Sequence, residues 1–228
     1  MSAIVGKKLG MTRVFDEDGA AIPVTVIEAP PNKITAIRRA DRDGYDAVQL
    51  AGNPVAEKKL SGGELGHLKK AGASAMADLA EFRDVEFKGG GGEEASKEGD
   101  APEDASSDQG ERKVGDDVTV SDFQPGEAVK VSAVSVGKGF QGTIRRHGFS
   151  QGPVTHGSHN VRAPGSVGAS ADPARVFPGQ KMPGQMGARR ATQIGARVVE
   201  VDAELNLLLI RGSVPGPRNS TVEVRSVG

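Results

Sequence analysis

Short runs of alternating apolar and polar residues at both ends of the chain predict paired strands with one face buried. Met11 to Phe15 and Ala21 to Glu28 flank Asp16-Glu17-Asp18-Gly19, whose Asp-Gly step suits a tight hairpin turn. Ile22, Val24 and Val26 are expected to share one face. Pro23, with no N–H to donate, marks an edge or bulge position. Lys33 to Arg39 and Tyr45 to Ala51 predict two more strands, joined across Asp43-Gly44. Further strands are expected at Val118 to Phe123 and at Val129 to Val136. In the latter the alternation Val129, Val131, Ala133 slips by one to Val134, Val136, which predicts a bulge. Ile194 to Val201, Leu207 to Arg211 and Thr221 to Val227 close the chain, separated by Asp202 to Asn206 and the Pro215-Gly216-Pro217 turn. Both ends are thus expected to build one β body.

Two internal stretches break this pattern. From Gly63 to Phe82 the apolar residues Leu65, Leu68, Met76, Leu79 and Phe82 stand at roughly helical spacing, with Ser74 as a candidate cap, and predict one or two short helices. Gly89 to Glu111 opens with four glycines and has no aromatic or large aliphatic residue. Such a segment cannot bury enough apolar surface to offset about 1 to 2 kcal/mol of backbone entropy per ordered residue, so it is expected to be disordered at a loop tip.

The stretch after Lys138 differs again. Up to Arg190 it holds ten glycines and five prolines, and its apolar residues, among them Phe140, Phe149, Phe177, Met182 and Met186, follow neither a two-residue nor a helical period. It cannot make its own core. A long irregular segment inside a compact domain implies a partner. Charge identifies that partner. From Lys138 to Arg197 nine cations face the single acid Asp172, leaving eight positive charges, whereas from Gly89 to Asp117 three cations face ten acids. The two blocks nearly cancel, so the net charge of -1 hides a polyanion-binding stretch.

Gly and Pro let a backbone turn sharply, while Arg offers a planar fork to phosphate oxygens and a flat face to bases, a combination suited to folded RNA. Doubled back as a hairpin, about fifty residues would reach up to about 80 Å at roughly 3.3 Å per residue. No recognition helix, zinc motif or zipper addresses duplex DNA. The free segment is expected to be disordered and to order on RNA, because its charges would otherwise be buried unpaired.

Other chemistries fit poorly. The sequence has no Cys, which excludes disulfides and thiolate metal sites and suits a cytosolic protein. Met1 to Gly10 has no apolar core of signal-peptide length, and no run approaches the length of a membrane span. His156 and His159 have a metal-site spacing, but only Asp172 is near as a further ligand; contact with phosphate or a base is the better reading. Gly137-Lys138-Gly139 lacks nucleotide-loop spacing and reads as a hinge. Ser158 or Ser166 with His156 has neither an orienting carboxylate nearby in sequence nor a strand-to-helix elbow. Phe140, Phe149 and Phe177 suit plugging the segment against the body or stacking on bases equally well.

Gly137-Lys138-Gly139-Phe140-Gln141-Gly142-Thr143, Arg145-Arg146-His147-Gly148-Phe149, Thr155-His156-Gly157, Pro164-Gly165-Ser166-Val167-Gly168 and Met182-Pro183-Gly184-Gln185-Met186-Gly187 closely resemble, in this order, the arm of the large-subunit ribosomal protein three family. The flanks resemble its bacterial form: Gly6-Lys7-Lys8-Leu9-Gly10-Met11-Thr12-Arg13, Pro23 to Glu28, and Val201-Asp202 through Asn206-Leu207-Leu208-Leu209 to Val214-Pro215-Gly216. Only Gly89 to about Lys113 falls outside the likeness.

The resemblance implies a mainly β fold: a six-stranded β-barrel of the translation-protein kind with short helices and a long, irregular basic extension. The body would comprise 1–88, 114–137 and 191–228, the acidic insertion 89–113 and the extension 138–190. It further implies a structural, non-enzymatic component of the cytoplasmic ribosome. Such a component would be seated on large-subunit (23S) rRNA near its 3' end, beside neighbouring ribosomal proteins, with an early role in assembly and an arm toward the peptidyl transferase centre. No cofactor, metal, membrane or small-molecule substrate is implied. The residues expected to contact rRNA are Lys7, Lys8 and Arg13 in the body and Lys138, Phe140, Arg145, Arg146, His147, His156, His159, Arg162, Arg175, Lys181, Arg189 and Arg190 in the extension. Bacterial relatives often carry a Gln that is methylated after the Pro-Gly-Ser run. Here Gly168-Ala169-Ser170-Ala171 stands there, so that modification is expected to be absent. Relatives also place His directly before the Arg ahead of that run, where this chain has Val161 before Arg162 and the nearby His159.

Overall fold

The computed structural model describes residues 2–83 and 112–227, so the expected disorder of Gly89 to Glu111 lies outside the described residues. The chain forms two compact units, one of Met1–Val134 with Arg190–Gly228 and the other of Ser135–Arg189.

In the first unit the elements run β1 (Ala3–Phe15), β2 (Ala21–Glu28), β3 (Asn32–Arg38), α1 (Ala40–Asp43), β4 (Ala47–Pro54), α2 (Gly62–Lys70), β5 (Met76–Arg83), β6 (Asp117–Val118) and β7 (Ala128–Val134). The second unit contributes β8 (Phe140–Gln141), α3 (Thr143–His147) and β9 (Gly184–Gln185). The chain then returns to the first unit with β10 (Arg190–Asp202), β11 (Leu207–Arg211) and β12 (Thr221–Ser226). Six strands close a barrel in the order β1-β12-β7-β10-β11-β2, with every pair antiparallel. The mainly β fold and the six-stranded barrel expected from the resemblance are therefore present.

The first fifty residues do not all enter that barrel. β3 and β4 belong to a separate four-stranded sheet, ordered β5-β4-β3-β6, so the expected single β body is two sheets with two cores. Ile4, Ile27, Val129, Val131, Val198, Leu208, Ile210, Val222 and Val224 fill the barrel, while Ala3, Val5, Ile34, Val48, Leu50, Phe82 and Val118 fill the second core. Successive side chains of a strand point to opposite faces, so β1 sends Ile4 into one core and Ala3 and Val5 into the other. Each fully buried Ile, Leu or Val contributes about 1.5 to 3 kcal/mol.

Several local expectations are corrected. Only Gly62–Lys70 is a helix in the segment expected to be helical, and its N-cap is Ser61, not Ser74. Gly72 (φ 67°) turns the chain beyond it, and Met76, Leu79 and Phe82, whose three-residue spacing imitates a helix, lie on strand β5. Leu68 and Met76 pack together in a third small cluster with Ala51 and Ala73. β3 and β4 pair antiparallel and are joined across Asp43-Gly44 as expected, by one helical turn, α1, that ends with Gly44 in the left-handed region.

On β2 the barrel-facing side carries Ile27, and Val26 is only half-buried. Pro23 lies just beyond the β11 pairing, where its lack of an N–H costs nothing and its carbonyl accepts from Gly212 (2.8 Å). Val118 to Phe123 breaks after Val118 into a 3-10 turn, because the chain crosses from the second core into the barrel, where Val120 and Phe123 are buried. β7 keeps its alternation, with Val129, Val131 and Ala133 buried and Val134 exposed. The irregularity lies opposite, on β10 between Gln193 and Ala196, where Gly195 has φ 77°.

Candidate nucleic-acid interface

Within Ser135–Arg189 the only buried residue is Thr143, at 2% exposure. The segment therefore has no apolar core. It is not wholly irregular, however: a two-residue ladder pairs Phe140 with Gln185 and Gln141 with Gly184, and α3 follows directly. At the root, the Lys138 N–H donates to the Met186 carbonyl (2.9 Å) and the Ser135 N–H to that of Arg189 (2.9 Å). Gly187 sits at φ 69° with the position of a Cβ only 2.0 Å from the Val136 carbonyl oxygen, so no other residue fits there.

Above that ladder the Met182 carbonyl is a meeting point. Arg146 donates to it through Nη1 (2.6 Å), and His147 Nε2 lies 3.0 Å away. The guanidinium packs over Gly184, where a Cβ would come within 2.8 Å of Nη1. Arg146 and His147 are thus half-buried and engaged with the opposite limb. Nothing in the side-chain types of the sequence singles out the Met182 carbonyl as their partner.

Lys138, Arg145, Arg162, Arg175, Lys181 and Arg189 are exposed, as are His156, at φ 59°, and His159. Among the described residues no salt bridge holds any of the cations from Lys138 to Arg189, and Asp172 is the one acid of this unit. Phe140 is 74% exposed and Phe177 56%, and the Arg175 guanidinium lies 5.6 Å from the Phe177 ring centroid. Solvent-facing rings interleaved with unpaired cations form a surface that can stack bases and neutralise phosphates together. His147, by contrast, meets Phe149 at a ring separation of 6.0 Å.

The remaining expected residues are placed on the barrel. Arg190 opens β10, and Glu223 of β12 accepts from both of its terminal nitrogens, which leaves it charge-compensated. Lys8 is half-buried on β1, and its ammonium donates to the carbonyls of Val214 (2.7 Å) and Gly216 (3.0 Å). Burial holds its pKa below the ordinary lysine value. It anchors a turn and is poorly placed to meet phosphate. Lys7 pairs in register with Glu28 and borders a cavity of about 380 Å³ with Asn53, Asp78 and Thr221. Arg13 is exposed on the outer part of β1.

Among the described residues no cluster of three His, Asp or Glu side chains could hold a metal ion, and no helix is long and apolar enough to cross a membrane.

Residues 85–206 match the protein family described as Ribosomal protein L3. The large ribosomal subunit protein uL3 of Prochlorococcus marinus (strain MIT 9515) is 43% identical over 222 residues, covering 97% of this chain and 92% of its own length. Its namesakes in Synechococcus sp. (strain RCC307) and Synechococcus sp. (strain CC9311) are 43% and 41% identical over 97% of this chain and 93% and 92% of theirs. With identity at this level over nearly the full length of each relative and a family match over more than half of the sequence, the chain belongs to the ribosomal protein L3 family of the large ribosomal subunit, a structural and non-enzymatic family.

Proposed function

We propose that the chain binds large-subunit rRNA near its 3' end, supports early assembly of the subunit beside neighbouring ribosomal proteins in the cytoplasm, and buttresses the peptidyl transferase centre through Ser135–Arg189. One observation carries this reading: a unit with a single buried residue exposes six Arg and Lys side chains that no carboxylate among the described residues compensates. A folded segment of this kind lacks the apolar burial to hold itself rigid, and polynucleotide phosphates supply the missing partners. Arg145, Arg162 and Arg175 act as phosphate forks or stacking planes, Lys138 and Lys181 as point charges, and Phe140 and Phe177 as stacking surfaces. Arg146 and His147 serve differently, holding the two limbs together at the Met182 carbonyl so that their neighbours are presented in a fixed arrangement.

The test is the salt dependence of binding to a 3'-terminal fragment of large-subunit rRNA. Replacing Arg145, Arg162 and Arg175 together by Gln is expected to make the slope of log affinity against log salt shallower by about 2 to 3. An unchanged slope overturns the reading. Cosedimentation with washed large subunits at one copy each separates a structural constituent from a free RNA chaperone.

A further inference from the structure

The outward side of the barrel carries a pairing that strand chemistry alone disfavours. Lys130 on β7 and Arg225 on β12 are direct cross-strand partners. Like charges set opposite one another on antiparallel strands repel. Neither has a carboxylate partner among the described residues: Arg225 donates through Nη1 to the Arg83 carbonyl (3.2 Å), and the Lys130 ammonium has no bonded partner.

Both side chains open onto a cleft of about 260 Å³ that Arg83 of edge strand β5 and Arg190 of β10 also line. Four cations thus converge on one small volume. Two carboxylates, Glu81 and Glu223, share the lining, but each is already engaged. Glu223 takes the guanidinium of Arg190 through both oxygens, and Glu81 accepts from Arg38 Nε at 3.0 Å. Glu81 also forms a loose ion pair with Arg83, Oε1 to Nε at 3.8 Å. The Arg83 guanidinium is held over the Tyr45 ring as well, 4.4 Å from its centroid, which orders it without consuming its charge. Among the described residues Lys130 and Arg225 are left facing the cleft without a carboxylate, with the loosely paired Arg83 beside them.

We infer that this cleft seats a backbone phosphate of RNA, a second polyanion contact carried by the barrel unit and assembled from residues outside the basic segment. The inference rests on the reading of the chain as an rRNA-binding protein. Two cations with no carboxylate among the described residues and a third only loosely paired, two of the three being arginine forks, match the several oxygens of a phosphate better than the single pair of a protein carboxylate. A site at this position also explains why the sequence keeps Lys opposite Arg on adjacent strands: the bound phosphate turns a repulsive pair into two attractive contacts.

The experiment uses the full chain with Lys130→Gln and Arg225→Gln together, measuring affinity for the 3'-terminal large-subunit rRNA fragment across a salt series. The expected result is a severalfold weaker affinity at moderate salt and a slope shallower by about 1 to 2, with thermal stability unchanged or raised because the like-charge pair is gone. The charge-retaining exchange Lys130→Arg with Arg225→Lys is expected to keep the original slope. An unchanged slope in the Gln variant, while the triple Arg145, Arg162 and Arg175 variant still loses slope, overturns the cleft as a phosphate site and leaves the rRNA reading standing. If neither variant changes the slope, the rRNA reading itself fails. Should the double variant lose its cooperative melt, Lys130→Gln alone decides by the same criterion, with an expected change of about 1.

Discussion

The side-chain amide of Asn32 pairs with the main chain of Val5 as a neighbouring strand would: its Oδ1 accepts from the Val5 N–H (2.8 Å) and its Nδ2 donates to the Val5 carbonyl (3.0 Å). Val5 pairs with Glu223 of β12 on its other edge, and the β2 ladder begins only at Lys7. The amide therefore satisfies two buried groups that would otherwise lack partners, and in doing so ties β3 to the barrel. Nδ2 also reaches the Pro30 carbonyl at 2.8 Å. Asn32→Leu removes all three bonds and is expected to cost about 3 kcal/mol, because the orphaned Val5 groups stay buried. Equilibrium urea denaturation checks it, with a lower midpoint at unchanged slope as the expected outcome.

Lys8 was a candidate RNA contact by charge, yet its ammonium is spent on the Val214 and Gly216 carbonyls. Lys8→Met keeps the stem and removes both bonds, so stability should fall by about 1 to 2 kcal/mol. The salt slope of RNA binding should not move. A changed slope with unchanged stability would assign Lys8 to the interface instead.

Gly152 lies so close to the opposite limb that a Cβ would stand 2.1 Å from the Asn160 carbonyl oxygen, beside the Gly152 N–H bond to Val161 (2.9 Å). Gly152→Ala must push the limbs apart. RNA affinity is expected to drop by about tenfold, because the close approach of the limbs in the ordered, RNA-bound segment is no longer attainable. The melting temperature should stay the same, since the apolar cores lie in the other unit.

Hydrogen exchange should divide the chain in the same way. Amides of β1, β7 and β12, within the closed barrel, are expected to exchange only on global unfolding. Those of residues 153–181, with few backbone bonds and almost no burial, should exchange rapidly in the free protein and slow down on RNA. Protection of that stretch without RNA would contradict the coupling of its order to phosphate.

Ser61 and Glu64 form a capping box on α2, in which the Ser61 N–H donates to the Glu64 carboxylate (2.8 Å) and the Ser61 hydroxyl accepts from the Glu64 N–H (3.4 Å). The Ser61 N–H bond to the carboxylate first, and a bond the Ser61 hydroxyl donates to the same carboxylate (2.9 Å) second, hold the Glu64 pKa below its ordinary value of 4.5. A carboxylate with a depressed folded pKa binds its proton more weakly when folded. Its contribution is therefore complete above 4.5 and fades as pH falls through the folded value. Glu64→Gln should remove that part of the acid dependence, measured as thermal stability against pH below 5, roughly where carboxylates titrate.

The strand signals at the chain ends were legible because alternation and turn residues such as Asp16 to Gly19 are local, and the composition of Lys138 to Arg197 showed that no core forms there. The same local patterns misled between Gly63 and Phe82. Met76, Leu79 and Phe82 repeat every three residues, which fits a helix, yet β4 was available beside them and they joined its sheet. In the basic segment residue type exposed the cations but not their state. Arg145 is exposed while Arg146, its neighbour, is bound to Met182 across 36 positions of sequence.

Sequence by itself determined the β character of the ends, the missing core of the basic segment and its excess of positive charge, since each follows from residues close together along the chain. Tertiary structure alone decided that β3 and β4 leave the barrel, that Lys8 and Arg190 are engaged while Arg175 meets no carboxylate among the described residues, and that Lys130 faces Arg225. Those outcomes depend on strand register and closure between segments as much as some 200 residues apart, and no periodicity in the sequence encodes which distant strand becomes a neighbour.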